Sequence, residues 1–160
     1  MNTSIYYTDS NKLNLQIDST LTQKEIAFSS DSAVAFDYIG FERENSFPVL
    51  NKKGQWINTI KQSKKLSDEQ FKLIYSVFEN KNSFQNTLII GCYEPRLGIV
   101  YFKNGTVIGQ SAICIDCARL ESSARLGNGE NYSSFNKRAL RQLEKICKQL
   151  KFSDCDHLTD

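Results

Sequence analysis

Cys92, Cys114 and Cys117 lie close together in a chain with five cysteines. Thiols grouped in this way can hold a metal, form a disulfide, act as a reactive centre, or fill a core as small apolar groups. Structural zinc takes four Cys or His ligands. Cys114 and Cys117 have the C-x2-C spacing, Cys92 would be a third ligand, and the fourth would come from Cys147, Cys155 or His157. That set is lopsided beside a doubled C-x2-C ribbon. A disulfide between two of the three thiols is compatible with strand geometry, since paired strand positions set Cα atoms near the required separation. A reactive thiolate needs a neighbouring positive charge or base, and Arg96 is the nearest candidate in sequence.

Other chemistry is poorly supplied. The one histidine, His157, stands three residues from the end of the chain, where a catalytic base would be hard to hold. This argues against Ser-His-Asp and Cys-His catalysis. The chain has no phosphate-binding glycine loop, dinucleotide fingerprint or H-E-x-x-H helix. Glu94, Asp116, Glu121 and Glu130 offer carboxylates, but nothing in their spacing selects an acid–base pair. The expectation is therefore a protein without enzymatic activity and without a cofactor, zinc being the one metal its cysteines would suit.

The elements that would position the cysteines are partly legible. "YFKNGTVI" sets Asn104-Gly105 between two apolar runs, the strongest short-range hairpin signal. With those two residues as the turn, Lys103 faces Thr106, Phe102 faces Val107, Tyr101 faces Ile108, and Cys92 would meet Cys117 at the base. Cys114 would point to the opposite face, because side chains alternate along a strand. Pro95 disturbs this ladder, and a bulge there would turn Cys92 towards Cys114 instead. Two thiols converge in either register.

A helix is predicted from Ser67 to Lys81, with a Ser67/Gln70 capping box, a Leu66/Phe71 staple and an apolar face of Phe71, Ile74, Tyr75 and Phe78. A second is predicted after a cap at Ser133 or Ser134, with Ala139, Leu140, Leu143, Ile146, Cys147 and Leu150 facing inward. Its other side carries Lys137, Arg138, Arg141, Lys145 and Lys148. Such a face is either simply solvated or suited to an acidic protein partner. Nucleic acid is disfavoured, as no aromatic interleaving or glycine-rich loop accompanies the charges.

Upstream, residues 12–18 alternate like a strand, and residues 20–26 have the cap and staple of a short helix. "AVAFDYIGF" reads as a strand, "SFPVLNKKGQ" as a loop and "QWINTIKQS" as a further strand. The sum is one α+β domain over residues 1–160: a mostly antiparallel sheet with a central Asn-Gly hairpin, packed by two main helices. A short tail from about residue 153 is expected to fray.

Composition agrees with an ordinary globular domain, at 40% hydrophobic and 24% charged residues with a net charge of +2. This charge creates no strong field for nucleic acid or membrane. No apolar run is long enough to span a bilayer. The opening residues lack the basic and apolar regions of a signal peptide. With an odd cysteine count, the expected compartment is the cytoplasm.

The stretch from Cys92 to Cys117 resembles a pattern in small bacterial proteins, chiefly of the Bacteroidetes: C-[FY]-x-P-[RH], an apolar strand, a hairpin turn, then I-C-x-x-C. Its elements fall here on Cys92, Tyr93, Pro95, Arg96, Gly98, Ile113, Cys114 and Cys117. Many relatives carry an aromatic residue after the second cysteine, where this chain has Ile115. The likeness covers residues 56 to 120 or so and brings no activity with it. It implies that the cysteines and the Pro95-Arg96 pair belong to one constellation. The leading expectation is a protein that binds another protein, such as an immunity or antitoxin-like inhibitor of a toxin or effector. The alternative is a metal-binding or redox-responsive thiol protein centred on Cys92, Cys114 and Cys117, with Arg96 supporting a thiolate.

Overall fold

A computed structural model describes residues 30–43, 45–85, 93–123 and 132–155. In chain order the elements are β1 (Ser32–Tyr38), β2 (Phe41–Glu42), β3 (Asn45–Ser46), β4 (Ile60–Lys65), α1 (Asp68–Glu79), a 3-10 turn (Lys81–Ser83), β5 (Phe84–Gln85), β6 (Leu97–Lys103), β7 (Thr106–Cys114), β8 (Arg119–Ser122), β9 (Tyr132–Phe135) and α2 (Lys137–Gln149). Among the described residues, seven strands form an antiparallel sheet in the order β4-β1-β6-β7-β8-β9-β5, and β2 and β3 make a separate small ribbon. The α+β architecture expected from the sequence is the one observed. The proposed segments at 12–18 and 20–26 lie outside the described residues. No helix among the described residues is long and apolar enough to cross a membrane.

The central strands are covered on both faces. Ala33, Ala35, Leu97, Ile99 and Ile113 join the core beneath the helices, while Val34, Phe36, Tyr38, Val100, Phe102 and Val107 enter a second core. This is the period of two in a strand whose inward and outward residues are both apolar. The first core is closed by α1 through Ile74, Val77 and Phe78, and by α2 through Ala139, Leu140, Leu143, Ile146 and Cys147. Tyr75, expected on the buried stripe of α1, is only half-buried, and Val77 is buried in its place.

The local start signals differ in outcome. The Ser67/Gln70 capping box forms, with Gln70 N–H donating to Ser67 Oγ at 3.2 Å and Ser67 N–H donating to Gln70 Oε1 at 3.0 Å. At α2 the cap is Asn136, whose Oδ1 accepts from the Ala139 N–H at 2.9 Å. Ser133 and Ser134 lie instead in β9, paired with β8 opposite Leu120 and Arg119. Pairing to the sheet delays the helix by one strand end.

The Asn-Gly hairpin is present. Asn104 and Gly105 both have positive φ, at 49° and 76°, as a two-residue hairpin turn requires. Lys103 faces Thr106 and Phe102 faces Val107 as expected, but Tyr101 then faces Gly109 rather than Ile108. The bulge sits beside the turn and not at Pro95. Ile108 is the extra residue, packed against the helix-side core. Gly109 places no side chain beside the Tyr101 ring, and the shifted register brings Ser111 within 2.9 Å of Tyr101 Oη.

The second core is roofed by the chain between β3 and β4, the region read as a loop. Trp56 stacks on Phe36 at 5.0 Å, and Leu50 bridges to Trp56. The Gln110 amide grips both backbone groups of Leu50, accepting from its N–H and donating to its carbonyl, each at 2.9 Å. Only a glycine at position 98 lets this roof sit so low: a Cβ there would fall 2.1 Å from Val49 Cγ2 and 3.1 Å from Tyr38 Cε1. The strand read from "QWINTIKQS" is shorter than expected, running from Ile60 to Lys65.

Two substitutions test this packing. Gly98→Ala is expected to cost about 1–3 kcal/mol by overpacking, read as a lower urea midpoint; an unchanged midpoint would mean that the roof can retreat. Ser67→Ala is expected to cost about 1 kcal/mol through loss of the cap.

Candidate functional site

β7 ends at Cys114, and the chain then turns through Ile115 to Ala118 before β8 begins. Ala118 adopts a φ of 53° and donates its N–H to the Ile115 carbonyl at 3.1 Å. This tight reversal carries Cys117 back to Cys114, and the two form a disulfide with a Cα separation of 5.5 Å. The alternation argument that placed them on opposite faces fails because the strand has stopped before Cys117. The Cys117 N–H points at Cys114 Sγ, 3.2 Å away. Cys114 is buried, Cys117 is half-buried and Asp116 is exposed. Cys92 lies outside the described residues.

Arg119 stands directly opposite Cys114 in the β7–β8 register. Its guanidinium lies 5.0 Å above the Tyr93 ring, and the Tyr93 hydroxyl donates to the Ala112 carbonyl at 2.7 Å. Glu121 sits two residue pairs further along, opposite Ala112. Burial pushes the Glu121 carboxyl above its usual value, with the Arg119 charge opposing that rise. Burial raises the Tyr93 phenol too, reinforced by the Glu121 charge.

Arg96 is occupied elsewhere. Its Nη1 lies 3.1 Å from Asp154 Oδ2 and its guanidinium 5.1 Å from the Phe41 ring. In strand register, the cation beside the cysteine pair is Arg119, a residue the sequence reading passed over.

The remaining described cysteines form a second disulfide, Cys147–Cys155, with a Cα separation of 5.6 Å. Helix α2 finishes in a turn with Lys151 left-handed at φ 56°. Phe152 N–H donates to the Cys147 carbonyl at 3.3 Å and Lys151 N–H to the Lys148 carbonyl at 2.9 Å. These are the paired bonds of a Schellman C-cap. The reversal returns Cys155 to the helix. It also delivers Ser153 to Asp37, which is only 1% exposed at the end of β1. The Asp37 carboxylate accepts from Ser153 N–H at 2.8 Å, Ser153 Oγ at 3.2 Å and Gln62 Nε2 at 3.2 Å. Asp154 beside it pairs with Lys61 at 3.0 Å as well as with Arg96.

Residues 153–155, assigned by sequence to a fraying tail, are thus tied to α2 by a bridge, to β1 by the buried Asp37 carboxylate, and to Lys61 and Arg96 by ion pairs. The signal for this was a cysteine on the apolar stripe of α2 and another eight residues later, but nothing local linked them. In this state all four described cysteines are spent in disulfides. Among the described residues, no group of three or more His, Cys, Asp or Glu side chains is placed to hold a metal.

The basic face of α2 is formed. Lys137, Arg138, Arg141, Lys145 and Lys148 are all exposed. Lys148 Nζ lies 2.9 Å from Glu144 one turn back, whose carboxylate is largely buried. Among the described residues, Arg138, Arg141 and Lys145 have no acidic partner.

The anchoring of the C-terminal turn predicts a pH response. Burial works to raise the Asp154 carboxyl, but the Lys61 hydrogen bond and the charges of Arg96 and Lys61 outweigh it and hold the group below its ordinary value. A lowered folded-state pKa stabilises the fold above the unfolded value of about 4, and the contribution is lost as pH falls through the folded value. Asp154→Asn should therefore cost about 0.5–1 kcal/mol near pH 6, this being a partly exposed pair. Its unfolding midpoint should converge on wild type in acid. A difference that persists undiminished at low pH would contradict this role. In comparisons with family models, curated proteins and solved structures, the chain has no match.

Proposed function

We propose that this protein works by binding another protein, in the manner of an immunity or antitoxin-like inhibitor that covers the working surface of a bacterial effector. The observation that carries the reading is the basic face of α2, where Arg138, Arg141 and Lys145, without an acidic partner among the described residues, project from a helix whose opposite side is locked in the core. The disulfide at Cys147 holds the end of that helix. A preformed surface loses little conformational freedom on binding, and an exposed cationic stripe favours an acidic partner and speeds encounter with it. The two disulfides support an oxidising compartment in place of the cytoplasm expected from the cysteine count, because reducing cytosol opposes such bridges.

A second reading, a redox-responsive thiol protein, is favoured by the pairing of Cys114 with Cys117. Zinc would require these sulfurs as thiolates, so the bridged state supports the redox form of that reading over the metal form.

The binding reading is tested by Arg141→Glu with Lys145→Glu. Wild type and the double variant are each used to capture partners from the organism of origin, and the captured protein is titrated against both. The expected result is at least a tenfold weaker Kd for the variant, a difference that shrinks as salt rises beyond about 0.1 M, and no change in thermal midpoint. Equal affinity would remove this face from consideration.

A further inference from the structure

We propose that the Cys114–Cys117 bridge is a thiol–disulfide exchange site for dithiols, in which Cys117 receives the attack and Cys114 is the departing sulfur. The inference rests on the redox reading above and is independent of protein binding through α2.

Exchange requires a thiolate to reach one sulfur of the bridge. Cys114, Cys147 and Cys155 are each 2% exposed, whereas Cys117 is half-buried on a surface turn. Of the four bridged cysteines, Cys117 alone is not buried, which makes it the side from which a nucleophile would arrive. The Cys147–Cys155 bridge lies within the helix-side core and has no comparable approach.

Exchange is faster when the departing sulfur is a stabilised thiolate. Cys114 Sγ already faces the Cys117 N–H at 3.2 Å, a donor that strengthens as the sulfur gains charge. Arg119, paired with Cys114 across the β7–β8 ladder, adds positive charge on the neighbouring strand. A dithiol is the reductant that suits the turn, because its second thiol can resolve the mixed disulfide and release Cys117.

A thiolate of the dithiol attacks Cys117 Sγ and forms a mixed disulfide, while the Cys114–Cys117 bond breaks and Cys114 leaves with the electron pair. The second thiolate of the dithiol then attacks its own sulfur in the mixed disulfide and expels Cys117 as thiolate. The dithiol is oxidised to a disulfide, losing two electrons and two protons, and the cysteine pair takes up both.

The test uses the folded full-length chain. Any free thiol is first blocked by alkylation, and peptide mapping confirms the starting bridges. The protein is then exposed to limiting dithiothreitol without denaturant, quenched with a second alkylating reagent and mapped again. The second label is expected on Cys114 and Cys117 together, at least tenfold faster than on Cys147 and Cys155. A parallel reaction with the monothiol 2-mercaptoethanol, quenched in acid, should leave its adduct on Cys117. If mapping finds no Cys114–Cys117 bridge at the start, the underlying redox reading fails. If the bridge is present but resists reduction, or opens no faster than Cys147–Cys155, the exchange site is overturned while the pairing stands. An adduct on Cys114 would reverse the assigned roles and overturn the mechanism.

Discussion

The burial of β1 and β6 on both faces is the constraint on which the rest of this structure depends. Once both sides of a strand are apolar, neither can be left to water. Each fully buried side chain of this kind contributes roughly 1.5–3 kcal/mol that exposure would forfeit. The helices supply one cover and the chain between β3 and β4 supplies the other. Gly98 and the Gln110 grip on Leu50 follow from the second requirement, since an irregular roof must sit close to the sheet and still satisfy its own backbone.

The polar interior follows from the same constraint. Asp37 occupies the last helix-side position of β1, where the core runs out and the edge strand β4 begins. A carboxylate so enclosed is tolerated only when hydrogen-bonded, and the C-terminal turn meets that need through Ser153. The Cys147–Cys155 bridge and the Schellman cap hold the turn in place, and the turn in turn shields the β4 edge, with Gln62 donating to the Lys151 carbonyl at 3.1 Å and Lys64 to that of Leu150. The two bridges thus stand in different surroundings. One joins buried parts of the core, and the other closes a surface hairpin.

How far the sequence could be read depends on how local each signal was. The Ser67 capping box, the stripe of α2 and the Asn-Gly turn each involve residues within a few positions, and each is present. Signals competing with distant partners were misplaced. Ser133 and Ser134 were drawn into β9, and the hairpin register shifted at Ile108, where the Tyr101 ring and Ser111 had to be accommodated. At the candidate site, the grouping of Cys114 and Cys117 was visible and their pairing was not. Arg96 was the nearest cation in sequence but is drawn to Asp154, while Arg119 reaches the site through strand pairing.

The chain by itself therefore determined its class, its main helices, its central hairpin and the basic outer face of α2, because periodicity, caps and turn residues act over one or two turns of chain. Tertiary structure alone decided which cysteines meet, which cation stands beside them, what donates hydrogen bonds to Asp37 and why position 98 must be glycine. Those outcomes rest on contacts between residues up to 116 positions apart, and such contacts are chosen by the packing of the whole sheet, not by any stretch of sequence.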